Sequence, residues 1–96
     1  MLILITYDIN ITTSDGQRRL RRVAKQCVNY GVRVQNSVFE CRVDATQYTR
    51  LKHALLEEID DSHDSIRFYR LGDNAANKVE HFGVEHGLQL DGPLIL

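Results

Sequence analysis

Asp8 follows Tyr7 at the end of the apolar run 1–7, at the point where a chain leaves a sheet and a side chain can face a cleft. One carboxylate makes a poor active site by itself. Magnesium, however, keeps several waters and needs only one or two carboxylates together with a substrate phosphate. A twofold axis setting Asp8 beside its own symmetry mate would therefore complete a site. An aspartate at a strand end also serves simply to terminate the strand, and on spacing alone that structural role is the stronger one.

A second group of residues could handle phosphate. Arg18, Arg19, Arg21 and Arg22, followed by Lys25 and Asn29, lie in a stretch from Gly16 to Phe39 that contains no acid. Guanidinium groups bind phosphate through two parallel hydrogen bonds, so such a cluster can line a nucleic-acid backbone. A solvated helix face is the plainer explanation, but arginines this dense without an interleaved acid favour binding. Arg33, beside Gln35, Asn36 and Ser37, adds donors suited to phosphate or ribose. Phe39 could stack on a base, although its alternation with polar neighbours favours a place in the core.

Other chemistries lack their residues. His53, His63, His81 and His86 show no metal-ligand spacing and no paired His-hydrophobic-His, so surface roles are expected for them. No glycine-rich phosphate loop, serine nucleophile elbow or Cys-x-x-Cys is present. Cys27 and Cys41 fall in a helical and a strand segment, where buried thiols in a reducing compartment are expected rather than a disulfide or a zinc pair.

The elements that must position these groups follow from periodicity. Residues 1–7, apolar on both faces, read as a central strand. Ser14 and Gln17 suggest a capping box opening a helix whose apolar stripe is Leu20, Val23, Ala24, Cys27 and Val28, with Gly31 as the stop. Val32 and Val34, then Phe39, Cys41 and Val43, alternate with polar residues and predict a hairpin broken near Asn36-Ser37. Asp44 and Gln47 repeat the capping signature before a second helix carrying Tyr48, Leu51, Leu55 and Ile59. Residues 60–64 read as a polar turn and 65–71 as a fourth strand. A weak strand near 79–82 and an apolar end at 93–96 follow.

This order is the split βαβ pattern, an α+β, ferredoxin-like βαββαβ sandwich with both helices on one sheet face. The expected organisation is a ferredoxin-like unit over 1–78 and a C-terminal strand extension over 79–96 packing on a partner subunit. Ile3, Ile5, Val38, Tyr69 and Leu71 are assigned to the second sheet face. That face is then too apolar to stay wet, which predicts a homodimer packed sheet to sheet.

Composition sets the remaining bounds. Ninety-six residues, 43% hydrophobic and 26% charged, with one Pro and six Gly, support one modest core. A net charge of -1 would argue against a nucleic-acid partner, but residues 1–39 hold six Lys or Arg against two acids, and residues 40–96 six against eleven. The asymmetry points to a basic face on an acidic body. Leu2-Ile3-Leu4-Ile5 has no basic residue before it and meets Asp8 too soon for a signal core or a membrane span, so a cytoplasmic protein is expected.

Ile5-Thr6-Tyr7-Asp8-Ile9, the arginine-rich first helix, the run from Arg33 to Cys41, and Tyr69-Arg70-Leu71-Gly72 together resemble the CRISPR-associated adaptation proteins of the family written "Cas two", the dimeric partner of the CRISPR integrase. The resemblance spans residues 1–72. It implies a homodimer in spacer acquisition, acting as a magnesium-dependent endonuclease or endoribonuclease on double-stranded DNA or single-stranded RNA, or else serving as a non-catalytic DNA-binding scaffold. It also implies a metal site at Asp8 of each subunit, lined by Tyr7, Arg18 or Arg19, Arg33 and Phe39, with Arg22 on the same basic helix.

Overall fold

The computed structural model describes residues 1–72 and 78–85. The elements are β1 (Leu2–Asp8), α1 (Gly16–Val28), β2 (Gly31–Gln35), β3 (Val38–Arg42), α2 (Ala45–Glu58), β4 (Ser65–Leu71) and β5 (Lys78–Gly83). One antiparallel sheet runs in the order β2-β3-β1-β4-β5. Its first four strands and two helices form the expected ferredoxin-like sandwich, with β1 at the centre.

Register decides which side chains meet the helices. Ile5 lies opposite Phe39 on β3 and Phe68 on β4, and Ile3 opposite Cys41. With a side-chain period of two, these residues and Tyr7 share one face. That face packs on Val23 and Cys27 of α1 and on Leu51 and Leu55 of α2 in a single core. The assignment of Ile3 and Ile5 to the uncovered face is therefore corrected: cross-strand pairing puts them with Phe39, which is fully buried. A strand apolar on both faces offers no alternation from which to read this. Leu2, Leu4, Thr6 and Asp8 take the other face, with Val38, Tyr69 and Leu71 as expected.

The helix ends separate local from tertiary signals. At α2 the capping box forms in full, Gln47 N–H donating to Asp44 Oδ1 at 2.7 Å and Asp44 N–H to Gln47 Oε1 at 2.9 Å. At α1 the expected Ser14–Gln17 box is absent. Asp15 is the N-cap without a side-chain cap bond, and the helix begins at Gly16, whose missing side chain lets the backbone press against Asn10 and Ile11. Docking of the β1–α1 loop sets that start. Val28 leaves the predicted stripe and is exposed.

β5 pairs along β4 of the same chain, from Ser65 opposite Gly83 to Arg70 opposite Lys78. A boundary at 78/79 thus cuts a strand, and residues 79–83 continue the chain's own sheet. Tyr48 Oη and Lys52 Nζ each donate to Glu80 at 2.7 Å, tying β5 to α2. His86 and the apolar residues 93–96 lie outside the described residues.

Candidate nucleic-acid interface and carboxylate site

Asp8 ends β1 opposite Ser65, exposed and on the sheet face that the helices leave uncovered. Among the described residues no three His, Cys, Asp or Glu side chains group as a metal site. Each chain thus brings one well-placed carboxylate, which suits magnesium only if substrate phosphate or a second protomer adds oxygens.

Tyr7 points the other way. Its N–H donates to Ser37 O at 3.1 Å, its ring stacks on Phe39 at 6.2 Å between centroids, and its hydroxyl is buried with no hydrogen-bond partner. Burial raises its pKa, with Cys27 reinforcing and Arg33 opposing, so the phenol stays protonated. Phe39 is fully buried between Tyr7 and the guanidinium of Arg33, whose Cζ lies 5.1 Å from the ring centroid. Tyr7 and Phe39, which the resemblance places at the site, both have their rings in the core, the position that alternation favoured for Phe39. Phe39 instead supports the exposed Arg33.

The arginines of α1 divide sharply. Arg18 and Arg22, with Arg21 and Lys25, are exposed and line a groove of about 430 Å³ closed on its far side by Glu58. Arg22 Nε donates to Glu58 Oε2 at 3.2 Å, and the Arg22 side chain stays half exposed. Arg21 also joins Arg33, Tyr7 and Asn36 around a smaller cavity of about 320 Å³, which links the helix to the hairpin. The link from Arg21 to Arg33 has no local signal, because it depends on how α1 packs over β2 and β3.

Arg19 is no part of this surface. It is 8% exposed, and Nε donates to Asp64 Oδ2 at 2.7 Å while Nη2 reaches Asp64 Oδ1 at 3.2 Å. Nη1 meets Asp15 at 3.1 Å and Nη2 meets Thr13 Oγ1 at 3.0 Å. Arg18 is exposed, whereas Arg19, expected as a nucleic-acid contact, is an internal ion-pair partner. Helical spacing carried that signal, since Arg19 stands four residues before Val23 and eight before Cys27 on the buried stripe.

Asp64 belongs to the segment expected as a polar turn, yet it is fully buried. Burial pushes its pKa up, but the Arg19 hydrogen bond and the Asp60 and Asn10 amides outweigh burial and hold it below the usual carboxylate range. Cys27 and Cys41 are free buried thiols, as expected, their pKa values pushed by burial to about 12 and about 11. No described helix is long and apolar enough to cross a membrane.

The split βαβ sandwich with an added edge strand, a basic outer helix and one carboxylate at the end of its central strand defines a small ferredoxin-like α+β protein. The family model described as CRISPR associated protein Cas2 matches residues 1–79. The chain is 57% identical over 95 residues to the CRISPR-associated endonuclease Cas2 of Halalkalibacterium halodurans, covering 99% of each chain. It is 56% identical over 96 residues to the CRISPR-associated endoribonuclease Cas2 of Nitratidesulfovibrio vulgaris, covering 100% of this chain and 94% of the relative. The crystal structure of Streptococcus pyogenes Cas2 at pH 6.5 superposes with a TM-score of 0.70 at 57% identity, over 77% of this chain and 89% of the other. The chain belongs to the Cas2 family of CRISPR-associated proteins.

Proposed function

We propose that this protein is a cytoplasmic homodimeric component of CRISPR adaptation that holds nucleic acid along α1, partners the CRISPR integrase, and cleaves phosphodiesters with a divalent metal at Asp8. The observation that carries the reading is the position of Asp8, exposed at the end of the central strand on the uncovered sheet face. Leu71 and Val79, both well exposed, and the half-buried Val38 share that face. Packing two such faces would bury them and bring the two Asp8 carboxylates toward a common axis. The names of the relatives, endonuclease and endoribonuclease, support phosphodiester cleavage; the substrate in this reading is double-stranded DNA or single-stranded RNA.

In this reading Asp8 of each protomer holds the cation, which when bound supplies an activated water and neutralises phosphate charge. Arg18, Arg22 and Lys25 bind and orient the backbone by charge-assisted hydrogen bonds. Arg33, steadied over the Phe39 ring, adds an exposed positive charge beside Tyr7 on the helix side of the sheet, across from the face that carries Asp8. A second reading, a non-catalytic scaffold for the integrase, is favoured by the exposed basic face of α1, which lies on the helix side of the sheet while Asp8 lies on the other.

Asp8→Asn separates the two. The amide keeps size and removes the anionic ligand, so folding, dimerisation and DNA binding should persist while magnesium-dependent cleavage disappears. Unchanged cleavage by Asp8→Asn would end the enzyme reading at this site. Wild-type protein that cuts neither DNA nor RNA under any divalent cation would make the scaffold the function.

A further inference from the structure

The β1–α1 loop begins at Ile9, directly after Asp8, and is held by a buried charged pair. Asp64 Oδ1 accepts the Asn10 N–H at 3.0 Å, and Asp64 Oδ2 accepts the Asp60 N–H at 2.9 Å. Both oxygens also take Arg19, at 2.7 and 3.2 Å. From the other side Arg19 reaches the loop itself, through Asn10 O at 3.4 Å, Thr13 Oγ1 at 3.0 Å and Asp15 Oδ1 at 3.1 Å. Backbone bonds lock Asp64 in turn. Its N–H donates to Asp60 O at 2.7 Å, and its carbonyl accepts the Val84 N–H at 2.9 Å. Gly83, at φ 98°, passes so close to the Asp64 carbonyl that a side chain there would collide with it.

We propose that Arg19 and Asp64 are the positioning residues of the Asp8 site, fixing the loop that follows Asp8 and coupling it to α1, the α2–β4 turn and the end of β5. The inference rests on the reading of Asp8 as the metal carboxylate. A side chain two residues from Asn10 keeps its place only while that backbone is held, and the Asn10 amide is held by Asp64. Burying two charges is costly unless each is paired and further hydrogen-bonded, and this pair meets both conditions. A plain packing role would be served as well by apolar residues. The multiple bonds from one guanidinium to the loop specify its conformation.

The test uses the double variant Arg19→Gln/Asp64→Asn, which removes both charges and so leaves no buried ion unpaired. Three readouts apply: amide hydrogen exchange, the magnesium concentration giving half-maximal cleavage, and the salt dependence of duplex binding. The expected result is exchange at Asn10 at least tenfold faster with Leu51 and Leu55 of α2 unchanged. The magnesium midpoint should rise several-fold, and the salt slope should equal that of wild type. Simple loss of folded protein would scale the cleavage rate and leave the midpoint alone. Unchanged exchange at Asn10, or an unchanged midpoint in a protein that cleaves, would overturn the proposal. A slope flattened by about one would also overturn it, by returning Arg19 to phosphate. Should wild type not cleave, the reading of Asp8 as a catalytic carboxylate fails, while exchange and slope still decide whether the pair holds the loop. If the double variant does not fold, Arg19→Lys, which keeps the charge and loses the fork, should show the same faster exchange at Asn10.

Discussion

Neutralising the outer face of α1 should leave a measurable electrostatic signature. Arg18 and Arg22 are both exposed on the groove, on the same helix face as Lys25 and away from the buried Arg19. Each phosphate they neutralise contributes roughly -0.9 to the slope of log K against log salt on duplex DNA. Arg18→Ala/Arg22→Ala removes up to two such contacts and should flatten the slope by about 1.8. Between 50 and 200 mM salt, that change makes the ratio of wild-type to variant affinity fall by roughly twelvefold. The structure adds a refinement, because Arg22 shares its guanidinium with Glu58 at 3.2 Å. Glu58→Gln should tighten binding, since it removes a carboxylate from the groove and frees Arg22 Nε. Fluorescence anisotropy with a labelled duplex at four salt concentrations reads both effects, and a random-sequence duplex should respond equally because backbone contacts carry no sequence information. An Arg18→Ala/Arg22→Ala slope equal to wild type, or a weakening by Glu58→Gln, would refute the assignment of this groove.

Further outcomes follow from the core and the uncovered face. Leu71→Asp, placed on the proposed dimer face, should shift sedimentation from dimer to monomer, since pairing would bury an unpaired charge; a dimer of unchanged stability would refute sheet-to-sheet packing. Phe68→Ala, fully inside the core, should cost about 3–5 kcal/mol, roughly 15–25 °C in Tm for a domain of this size, measured by thermal unfolding. Because the folded pKa of Asp64 lies below its unfolded value, its contribution to stability is present above the unfolded pKa near 3.9. That contribution is lost as pH falls through the folded value, so an acid titration of Asp64→Asn should show a weaker loss of stability below pH 4 than wild type. Cys27 and Cys41, with raised pKa values, stabilise the fold fully below the unfolded thiol pKa and lose that contribution as pH rises toward 11 and 12. Native protein at pH 8 should accordingly resist thiol-specific reagents until it is unfolded.

Local signals were legible in the chain. The Asp44–Gln47 capping box, the alternation around Phe39 and Cys41, and the helical spacing of Leu51 and Leu55 each act within a few residues, so the α+β order and the ferredoxin-like class could be read directly. The same holds for the exposed basic face of α1 and for Asp8 at the end of its strand, because position at an element's end is a local property. Tertiary structure alone decided the rest. Facing on β1 came from its pairing with β3 and β4, since a strand apolar on both sides does not announce which side meets the helices. The helix start at Gly16 came from loop docking rather than from the Ser14–Gln17 pattern. Asp64 sits in a run of turn-like polar residues, and nothing within that run marks it as the one carboxylate buried against an arginine 45 residues earlier. The arginine cluster separated into an outward set and one internal member for the same reason: side-chain chemistry is written in the sequence, while the partner that claims each charge is chosen by the packing of distant elements.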